Sequence, residues 1–368
     1  MLNNIEKKLF VAATNQNVGK TTTSLGLVQA FKQLSASVGF IKPVGRRHVT
    51  VNDHTVDEDS LLIFNSCELQ CNFRDLTPVV VSRDFTRRYL DNPKAMQSRL
   101  EDSILKSFTA VSKDKDVVVV EGTGHAGVGS IFGLSNARVA KLLDAKVIMV
   151  TLGGIGKPVD EVAVNKSLFE KEGVSIVGIV VNKVMPDKLE QTRKYLSMAF
   201  DGCGIPLLGV IPYTPRLTWP TVTQVVEAVN AEILNGRERL ENPIADIIIG
   251  AMTPQNAVNY VKDKTLLIVP GDRDDVIYAV VTKELLHDDI ELSGIVLTGG
   301  LEPQEQTLKL LCRTQIPVLI TQLQTYEATS RIRDIVVKIT ISDQEKIELA
   351  TKLVREYVEL DRLWKLLE

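Results

Sequence analysis

The stretch that decides the fold is Ala12-Ala13-Thr14-Asn15-Gln16-Asn17-Val18-Gly19-Lys20-Thr21-Thr22. An apolar run from Leu9 to Ala12 leads into it and predicts a buried strand. Apolar residues at helical spacing follow it, between Ser24 and Phe31, and predict a helix. A strand, then a loop, then Gly-Lys-Thr opening a helix is the context that a phosphate-binding loop (P-loop) requires. The backbone N–H groups and the helix dipole at such a helix start favour an anion.

The residue types of this loop suit a nucleotide. Lys20 supplies a positive charge for the β- and γ-phosphates, and Thr21 offers a hydroxyl to Mg²⁺. Thr14 stands where the common motif has glycine. The residues that we expect to contact the nucleotide here are Thr14, Asn15, Asn17, Val18, Gly19, Lys20, Thr21 and Thr22.

The composition is typical of a globular protein. The 368 residues exceed one ordinary domain and suggest two. A net charge of −3 gives no reason to expect nucleic acid or an anionic membrane as a partner. No apolar run reaches transmembrane length, and Met1–Lys8 is not a secretory signal. The four cysteines lack the companions of a metal site, so we expect reduced thiols and a cytoplasmic protein.

Strand–helix alternation extends along the chain to residue 212 and predicts a doubly wound parallel α/β sheet. Its clearest strand is the run of four valines from Val117 to Val120, a pattern typical of a central strand buried on both faces. Glu121 ends this strand at the edge where α/β sheets bind ligands. A buried carboxylate needs a partner, so we expect Glu121 to hold Mg²⁺, the alternative being a cap on the next turn.

Signals along the chain predict three segments. A polar break at Asn235–Arg239 places a junction near residue 240. Shorter strand–helix units follow it and predict a second, smaller α/β domain. Residues 344–367 carry an apolar stripe and predict a final helix packed on its own domain. The predicted boundaries are therefore 1–240, 241–342 and 343–368. The polar residues 46–58 predict an exposed loop beside the site.

Five motifs together resemble dethiobiotin synthetase, over residues 8 to about 230. In order they are Thr14–Thr21, Lys42-Pro43-Val44, Val120–Gly124, Val181-Asn182-Lys183 and Pro206–Pro212. The threonine at position 14 is what that family carries. The resemblance implies phosphorylation of a carbamate or carboxylate by ATP, followed by attack of an internal amine. It also implies a homodimer.

The resemblance implies roles for individual residues. Lys20, Lys42 and Glu121 would be catalytic, with Lys42 reaching the transferred phosphoryl group or the substrate carboxylate. Asn182 and the backbone at Pro212 would read the adenine. The implied Mg²⁺ ligands are Thr21, Asp59 and Glu121, with Asp57 available in place of Asp59.

The chain departs from this family directly after Val44. Gly45-Arg46-Arg47 stands where the family has a small residue and a serine that contacts substrate. Two guanidinium groups suit a more anionic ligand, the alternative being solvated loop charges. The residues that we expect to contact a substrate or anion here are Arg46, Gly122, Thr123 and Gly124.

Gly271-Asp272-Arg273 and Thr298-Gly299-Gly300 resemble the two halves of a DRTGG domain. A dethiobiotin-synthetase-like domain followed by a DRTGG domain resembles the N-terminal and middle parts of long bacterial phosphate acetyltransferases. The resemblance is therefore to the regulatory part of that enzyme, without its catalytic domain. A small anion could bind at Asp272, Arg273, Thr298 and Gly299, which follow predicted strands. The alternative is a turn salt bridge with glycines that shape a loop.

Two functions stay open. The first is a regulatory protein that binds ATP and Mg²⁺ and hydrolyses ATP slowly or not at all. It would report the level of nucleotide, or of a small anionic metabolite, to a protein partner in acyl-phosphate metabolism. The second is an ATP-dependent ligase of the dethiobiotin synthetase type, acting on an anionic carboxylate. The biotin reaction itself is disfavoured by Arg46 and by the extra domain.

Overall fold

The computed structural model describes residues 7–34 and 36–368. Residues 1–6, most of the stretch that we do not expect to be a secretory signal, lie outside this description. The chain forms two compact units. The first unit contains the described residues up to Thr214 together with Ile339–Glu368, and the second unit is Pro215–Lys338. The chain therefore leaves the first unit, builds the second and returns to the first.

Strands and helices alternate along the described residues. The strands are β1 Lys7–Ala13, β2 Val38–Ile41, β3 Val44–Gly45, β4 His48–Val51, β5 His54–Asp57, β6 Val79–Val80, β7 Val117–Glu121, β8 Lys146–Leu152, β9 Ile176–Val184, β10 Leu207–Pro212, β11 Glu232–Asn235, β12 Asp246–Ile249, β13 Thr265–Pro270, β14 Gly294–Thr298 and β15 Val318–Ile320. The helices are α1 Lys20–Gln33, α2 Glu58–Ser66, α3 Phe85–Asp91, α4 Pro93–Val111, α5 Asn136–Leu143, α6 Gly156–Glu172, α7 Leu189–Asp201, α8 Val222–Val229, α9 Pro254–Tyr260, α10 Asp274–Leu286, α11 Glu305–Leu311, α12 Thr325–Arg333, α13 Gln344–Tyr357 and α14 Leu360–Leu366.

The main sheet of the first unit has the strand order β10-β9-β8-β1-β7-β2, and its neighbours pair in parallel. The predicted doubly wound P-loop fold is confirmed. In the register of the sheet, Val11 lies beside Glu121 and Ile41 beside Val120. The carboxyl ends of β1, β7 and β2 therefore lie side by side, which brings the P-loop, Glu121 and Lys42 to one edge.

The second unit contains a smaller sheet in the order β11-β15-β14-β13-β12, with β11 antiparallel at one edge and the other pairs parallel. The predicted smaller α/β domain is confirmed. Helix α8 ends at Val229, because Asn230 adopts a left-handed conformation with φ 48°. The chain then enters β11. The predicted junction near residue 240 consequently lies inside the second unit, which begins at Pro215.

The C-terminal segment packs on the first unit as two helices rather than one. Val358 is extended between α13 and α14 and bridges to Gly209 in β10. Helix α13 lies so close to α1 that a Cβ on Gly26 would come within 2.4 Å of a Val354 methyl carbon. The expectation that 343–368 forms a separate segment therefore differs from the structure, in which these residues complete the first unit.

The polar residues 46–58, expected to form an exposed loop, contain a β-hairpin. Strands β4 and β5 pair antiparallel and are joined by Asn52-Asp53, both of which have positive φ values of 48° and 62°. Positive φ at both central residues is the conformation of the two-residue turns that match strand twist. In the described ranges, no helix combines the length and the apolar character needed to cross a membrane.

The contact between α1 and α13 predicts a destabilising substitution. Gly26→Val should lower the free energy of unfolding of the first unit by about 1–3 kcal/mol, because the added side chain overlaps Val354. The measurement is urea denaturation followed by the fluorescence of Trp364, in a Trp219→Phe background. Gly156→Val is the matched control, since nothing lies within 4 Å of a Cβ built at this helical glycine. Equal midpoints for the two variants would contradict the packing described.

Candidate functional site

The P-loop has a conformation that only glycine permits at its last position. Gly19 has φ 96° and precedes α1. A Cβ at this residue would lie 2.0 Å from the side-chain nitrogen of Asn182. Asn15, Gln16 and Asn17 are exposed, so the outer part of the loop is open to a ligand.

Two residues at the end of β9 support this loop. The Asn182 side chain donates a hydrogen bond to the Val18 carbonyl at 2.9 Å, and Lys183 Nζ donates to the Asn17 carbonyl at 2.8 Å. Burial lowers the pKa of Lys183. Pro212 is the register partner of Val184 on the neighbouring strand. In the structure, Asn182 contacts the P-loop. The expected contacts of Asn182 and of the Pro212 backbone with an adenine stay predictions.

The unusual Thr14 turns its side chain towards α6. Its hydroxyl lies 3.0 Å from the Thr151 hydroxyl and donates to Glu161 Oε2 at 2.9 Å. Asn165, one turn after Glu161, donates to the Thr14 carbonyl at 3.2 Å and accepts from the Ala126 amide. Glu161 and Asn165 thus position the P-loop, and sequence reasoning missed both. Their i, i+4 spacing on one helix was the available signal.

Five charged side chains from separate segments form the buried charge cluster of this site. Lys42 Nζ lies 2.8 Å from Asp57 Oδ1, forms a shorter contact with Asp59 Oδ2, and lies 3.5 Å from Glu121 Oε1. Lys20 Nζ lies 3.9 Å from the same Glu121 oxygen. The three carboxylates are at most 9% exposed. The structure therefore brings together the predicted residues Lys20, Lys42, Asp59 and Glu121.

Burial and charge act in opposite directions on the two lysines. Burial lowers the pKa of Lys20, and the attraction of Glu121 opposes this shift. Burial also acts to lower the pKa of Lys42, but Glu121, Asp59 and Asp57 together outweigh it and raise that pKa. Lys42 is therefore held as a cation, whereas Lys20 is the more weakly paired of the two.

Glu121 and Thr21 fit a Mg²⁺ ion. Thr21 Oγ1 donates to Glu121 Oε1 at 3.1 Å. The other oxygen, Glu121 Oε2, is buried and has no hydrogen-bond partner among the described residues. Hydroxyl and carboxylate oxygens are the ligands that Mg²⁺ prefers. Because no group of three or more His, Cys, Asp or Glu in the described ranges is arranged for a metal, the remaining ligands would come from phosphates and water.

Asp57 organises the loop beside the cluster. Its Oδ1 accepts from Lys42 Nζ and from the Asp59 amide at 3.0 Å, and its Oδ2 accepts from the amides of Arg46 and Arg47 at 3.1 and 3.3 Å. The bond from the Asp59 amide makes Asp57 the N-cap of α2. Sequence reasoning considered it only as an alternative metal ligand. An aspartate directly before a helical run was the signal for a cap.

The predicted anion contacts of the first unit lie on two adjacent loops. The Thr123 hydroxyl donates to the Val44 carbonyl, which joins the loop after β7 to strand β3, directly before Arg46. Gly122 is tightly enclosed, since a Cβ there would lie 2.7 Å from the Phe10 ring. Gly124 has φ 64°. Arg46 is exposed, and its guanidinium forms no ion pair with the residues that the structure describes. Anion binding here stays a prediction.

In the second unit, the predicted anion residues contact other parts of the same unit. The Arg273 guanidinium donates to Asp275 at 2.8 Å and to the Met252 carbonyl at 3.0 Å. The hydroxyls of Thr298 and Thr325 lie 2.7 Å apart. Asp272 is exposed, and Gly299 has φ 80°. The alternative to anion binding was a salt bridge within the turn. Arg273 does form such a salt bridge, but with Asp275 and not with Asp272. Anion binding at these residues stays a prediction.

Comparisons with known proteins show what this chain is similar to. The chain is 29% identical over 368 residues to the phosphate acetyltransferase of Pseudomonas putida, covering 96% of this chain and 51% of that protein. It is 28% identical over 370 residues to the phosphate acetyltransferase of Nitratidesulfovibrio vulgaris, covering 98% and 51%. The chain thus spans about half the length of these curated relatives. Among solved structures, the septum site-determining protein MinD from Pyrococcus horikoshii, complexed with Mg-ADP, matches with a TM-score of 0.34 and 16% identity over 57% of this chain and 83% of that chain.

Family models match both units. A model described as DRTGG domain matches residues 224–335, within the second unit. A model described as AAA domain matches residues 7–221, more than half of the chain. The predicted order of a P-loop domain followed by a DRTGG domain is confirmed, and the chain belongs to the AAA domain family.

Proposed function

We propose that this protein is a regulatory protein that binds ATP with Mg²⁺ and hydrolyses ATP slowly or not at all. The buried charge cluster at the P-loop carries this proposal. The relatives named phosphate acetyltransferase support a role in acyl-phosphate metabolism. A small anionic metabolite, a protein partner, a homodimer and a cytoplasmic location are further parts of the proposal.

Nucleotide binding is supported by the groups that remain available at the P-loop. Lys20 lies 3.9 Å from Glu121, a long separation for an ion pair, so a phosphate oxygen competes easily for its ammonium. The unpartnered oxygen of Glu121 suits Mg²⁺ that arrives with the nucleotide. The N-terminus of α1 adds backbone N–H groups that favour the phosphates.

Slow hydrolysis is supported by the state of Lys42. Phosphoryl transfer requires positive charge that stabilises the transferring group. The charge of Lys42 is already neutralised by Asp57 and Asp59, which are buried beside it. The cluster contains three carboxylates and two lysines, so its carboxylates leave little positive charge for catalysis.

An ATP-dependent ligase acting on an anionic carboxylate is the second candidate. The exposed Arg46 and Arg47 favour it, since their amides anchor them beside Asp57 at the edge of the cluster. Two guanidinium groups at this place suit a substrate with more than one negative charge.

Replacing the P-loop lysine tests nucleotide binding. Lys20→Ala should weaken the affinity for Mg²⁺-ATP about 10- to 100-fold, because it removes charge-assisted hydrogen bonds to the phosphates. The measurement is a fluorescence titration with labelled ATP, ADP and GTP. Lys106→Ala, an exposed lysine of α4, is the control and should bind as the wild type does. Unchanged affinity in Lys20→Ala would contradict the assignment.

Turnover separates the two candidate functions. ATP hydrolysis is measured with Mg²⁺ in the presence of carboxylates, diamines and acyl phosphates, for the wild type and Glu121→Ala. The regulatory proposal predicts a low rate that no compound raises. A rate that one compound stimulates, and that Glu121→Ala loses, would establish the ligase instead and identify its substrate class.

The pairing of Lys42 predicts a large effect on stability. Lys42→Met should lower the free energy of unfolding by about 3–5 kcal/mol, because it leaves buried carboxylates without their cation. Since the pKa of Lys42 is raised, the stabilisation by its charge is fully present below the ordinary lysine pKa. The decrease in the free energy of unfolding should therefore be the same from pH 7.5 to 9. Urea denaturation measures this decrease, with Lys106→Met as the exposed control. Equal stability of the two variants would show that the cluster does not stabilise the fold.

A further inference from the structure

One buried carboxylate joins the charge cluster to the hairpin of residues 46–57. Asp57 is 1% exposed and is the last residue of β5. One of its oxygens accepts from Lys42, inside the cluster. The other accepts from the amides of Arg46 and Arg47, at the base of the hairpin. A single side chain therefore touches both the functional site and the start and end of this hairpin.

Other contacts also hold the hairpin. Strands β4 and β5 pair with each other, the Glu58 amide donates to the Arg47 carbonyl at 3.0 Å, and the Asp57 amide donates to Thr77 Oγ1 at 3.3 Å. The turn residues Asn52 and Asp53 are exposed. Among these contacts, the Asp57 side chain is the group that joins the base of the hairpin to Lys42.

Lys42 is the donor for which a ligand can compete. Its ammonium contacts Asp59 and lies 2.8 Å from Asp57 and 3.5 Å from Glu121, whose same oxygen is also beside Lys20 of the P-loop. A terminal phosphate next to Lys20 therefore competes with Asp57 for the Lys42 ammonium. A buried carboxylate that loses its cation is strongly destabilised, so Asp57 must find other partners or move. Either response breaks its hydrogen bonds to Arg46 and Arg47.

We propose that Lys42 and Asp57 relay the presence of the third phosphate of a bound nucleotide to the hairpin of residues 46–57. Asp57 acts here as a positioning residue, since it contacts Lys42 and the hairpin base rather than the nucleotide. A diphosphate, which ends one phosphate earlier, leaves the Lys42–Asp57 pair intact. This inference rests on the proposed nucleotide binding. It adds that the hairpin differs in conformation between the diphosphate-bound and the triphosphate-bound protein.

Hydrogen exchange of the full chain measures the relay. Peptides covering residues 46–58 are followed with Mg²⁺-ADP and with Mg²⁺ and a non-hydrolysable ATP analogue, at saturating concentrations established by titration. The relay predicts at least tenfold faster exchange with the triphosphate. Equal exchange while both nucleotides bind would overturn the relay alone. Absence of binding in the titration would overturn the proposed function as well.

Two variants test the role of Asp57. Asp57→Asn keeps the size of the side chain but removes the charge that pairs with Lys42, so the difference between the two nucleotides should disappear. Asp53→Asn makes the same chemical change in the exposed turn and should keep the difference. A difference that persists in Asp57→Asn would contradict the relay.

A measurement on the wild type covers the case in which Asp57→Asn does not fold. Beryllium fluoride added to the Mg²⁺-ADP complex supplies a group in the place of the third phosphate. The relay predicts that this addition accelerates exchange in residues 46–58 as the triphosphate does. Fluorine NMR establishes that beryllium fluoride is bound. If residues 46–58 then exchange no faster than in the Mg²⁺-ADP complex, the hairpin does not respond to a third phosphate and the relay is contradicted.

Discussion

The edge of the main sheet that carries the P-loop and Glu121 depends on the ion pairs of the Lys42 ammonium. This ammonium joins Asp57 and Asp59, where the hairpin meets α2, to Glu121 at the end of β7, which is distant from them in the sequence. Buried charges must be paired, so each carboxylate is stable only where the lysine can reach it. The position of the hairpin and the start of α2 next to the sheet consequently follows from one cation.

The same constraint shapes the chemistry of the site. Lys42 shares its charge among buried carboxylates, so it offers a phosphate less attraction than Lys20 does. Among the described residues, Lys20 forms an ion pair with Glu121 alone, at 3.9 Å. The site is thus divided into a part suited to phosphate binding and a part suited to holding protein segments together. A protein with such a site is well suited to respond to a nucleotide by rearranging ion pairs, which is the basis of the regulatory proposal.

Much of the fold could be predicted from the sequence because parallel strands have strong local signals. The valine run of β7, with Glu121 at its end, indicated both the central strand and the ligand-binding edge, and the P-loop motif indicated its neighbour. The carboxyl ends of adjacent parallel strands then had to converge. These signals identified Lys20 and Glu121, whereas Lys42 was expected only from the resemblance to dethiobiotin synthetase.

Other features could not be predicted because they depend on which surface a segment meets. The apolar stripe of α13 gave no information on its partner, and the close approach of Val354 to Gly26 is a property of the packed structure. The side chain of Thr14 could equally face a phosphate or α6. The role of Asp57 required knowing that the amides of Arg46 and Arg47 turn back towards it.

The proposed function requires that the P-loop and the buried charge cluster bind a nucleoside triphosphate with Mg²⁺. A crystal structure of the full chain with Mg²⁺ and a non-hydrolysable ATP analogue tests this requirement most directly. We expect phosphates against the start of α1, Lys20 on a phosphate oxygen, and the metal coordinated by Thr21 and Glu121, directly or through water, with direct metal–oxygen distances of about 2.1 Å. A loop without nucleotide at saturating ligand, or a metal bound away from Thr21 and Glu121, would contradict it.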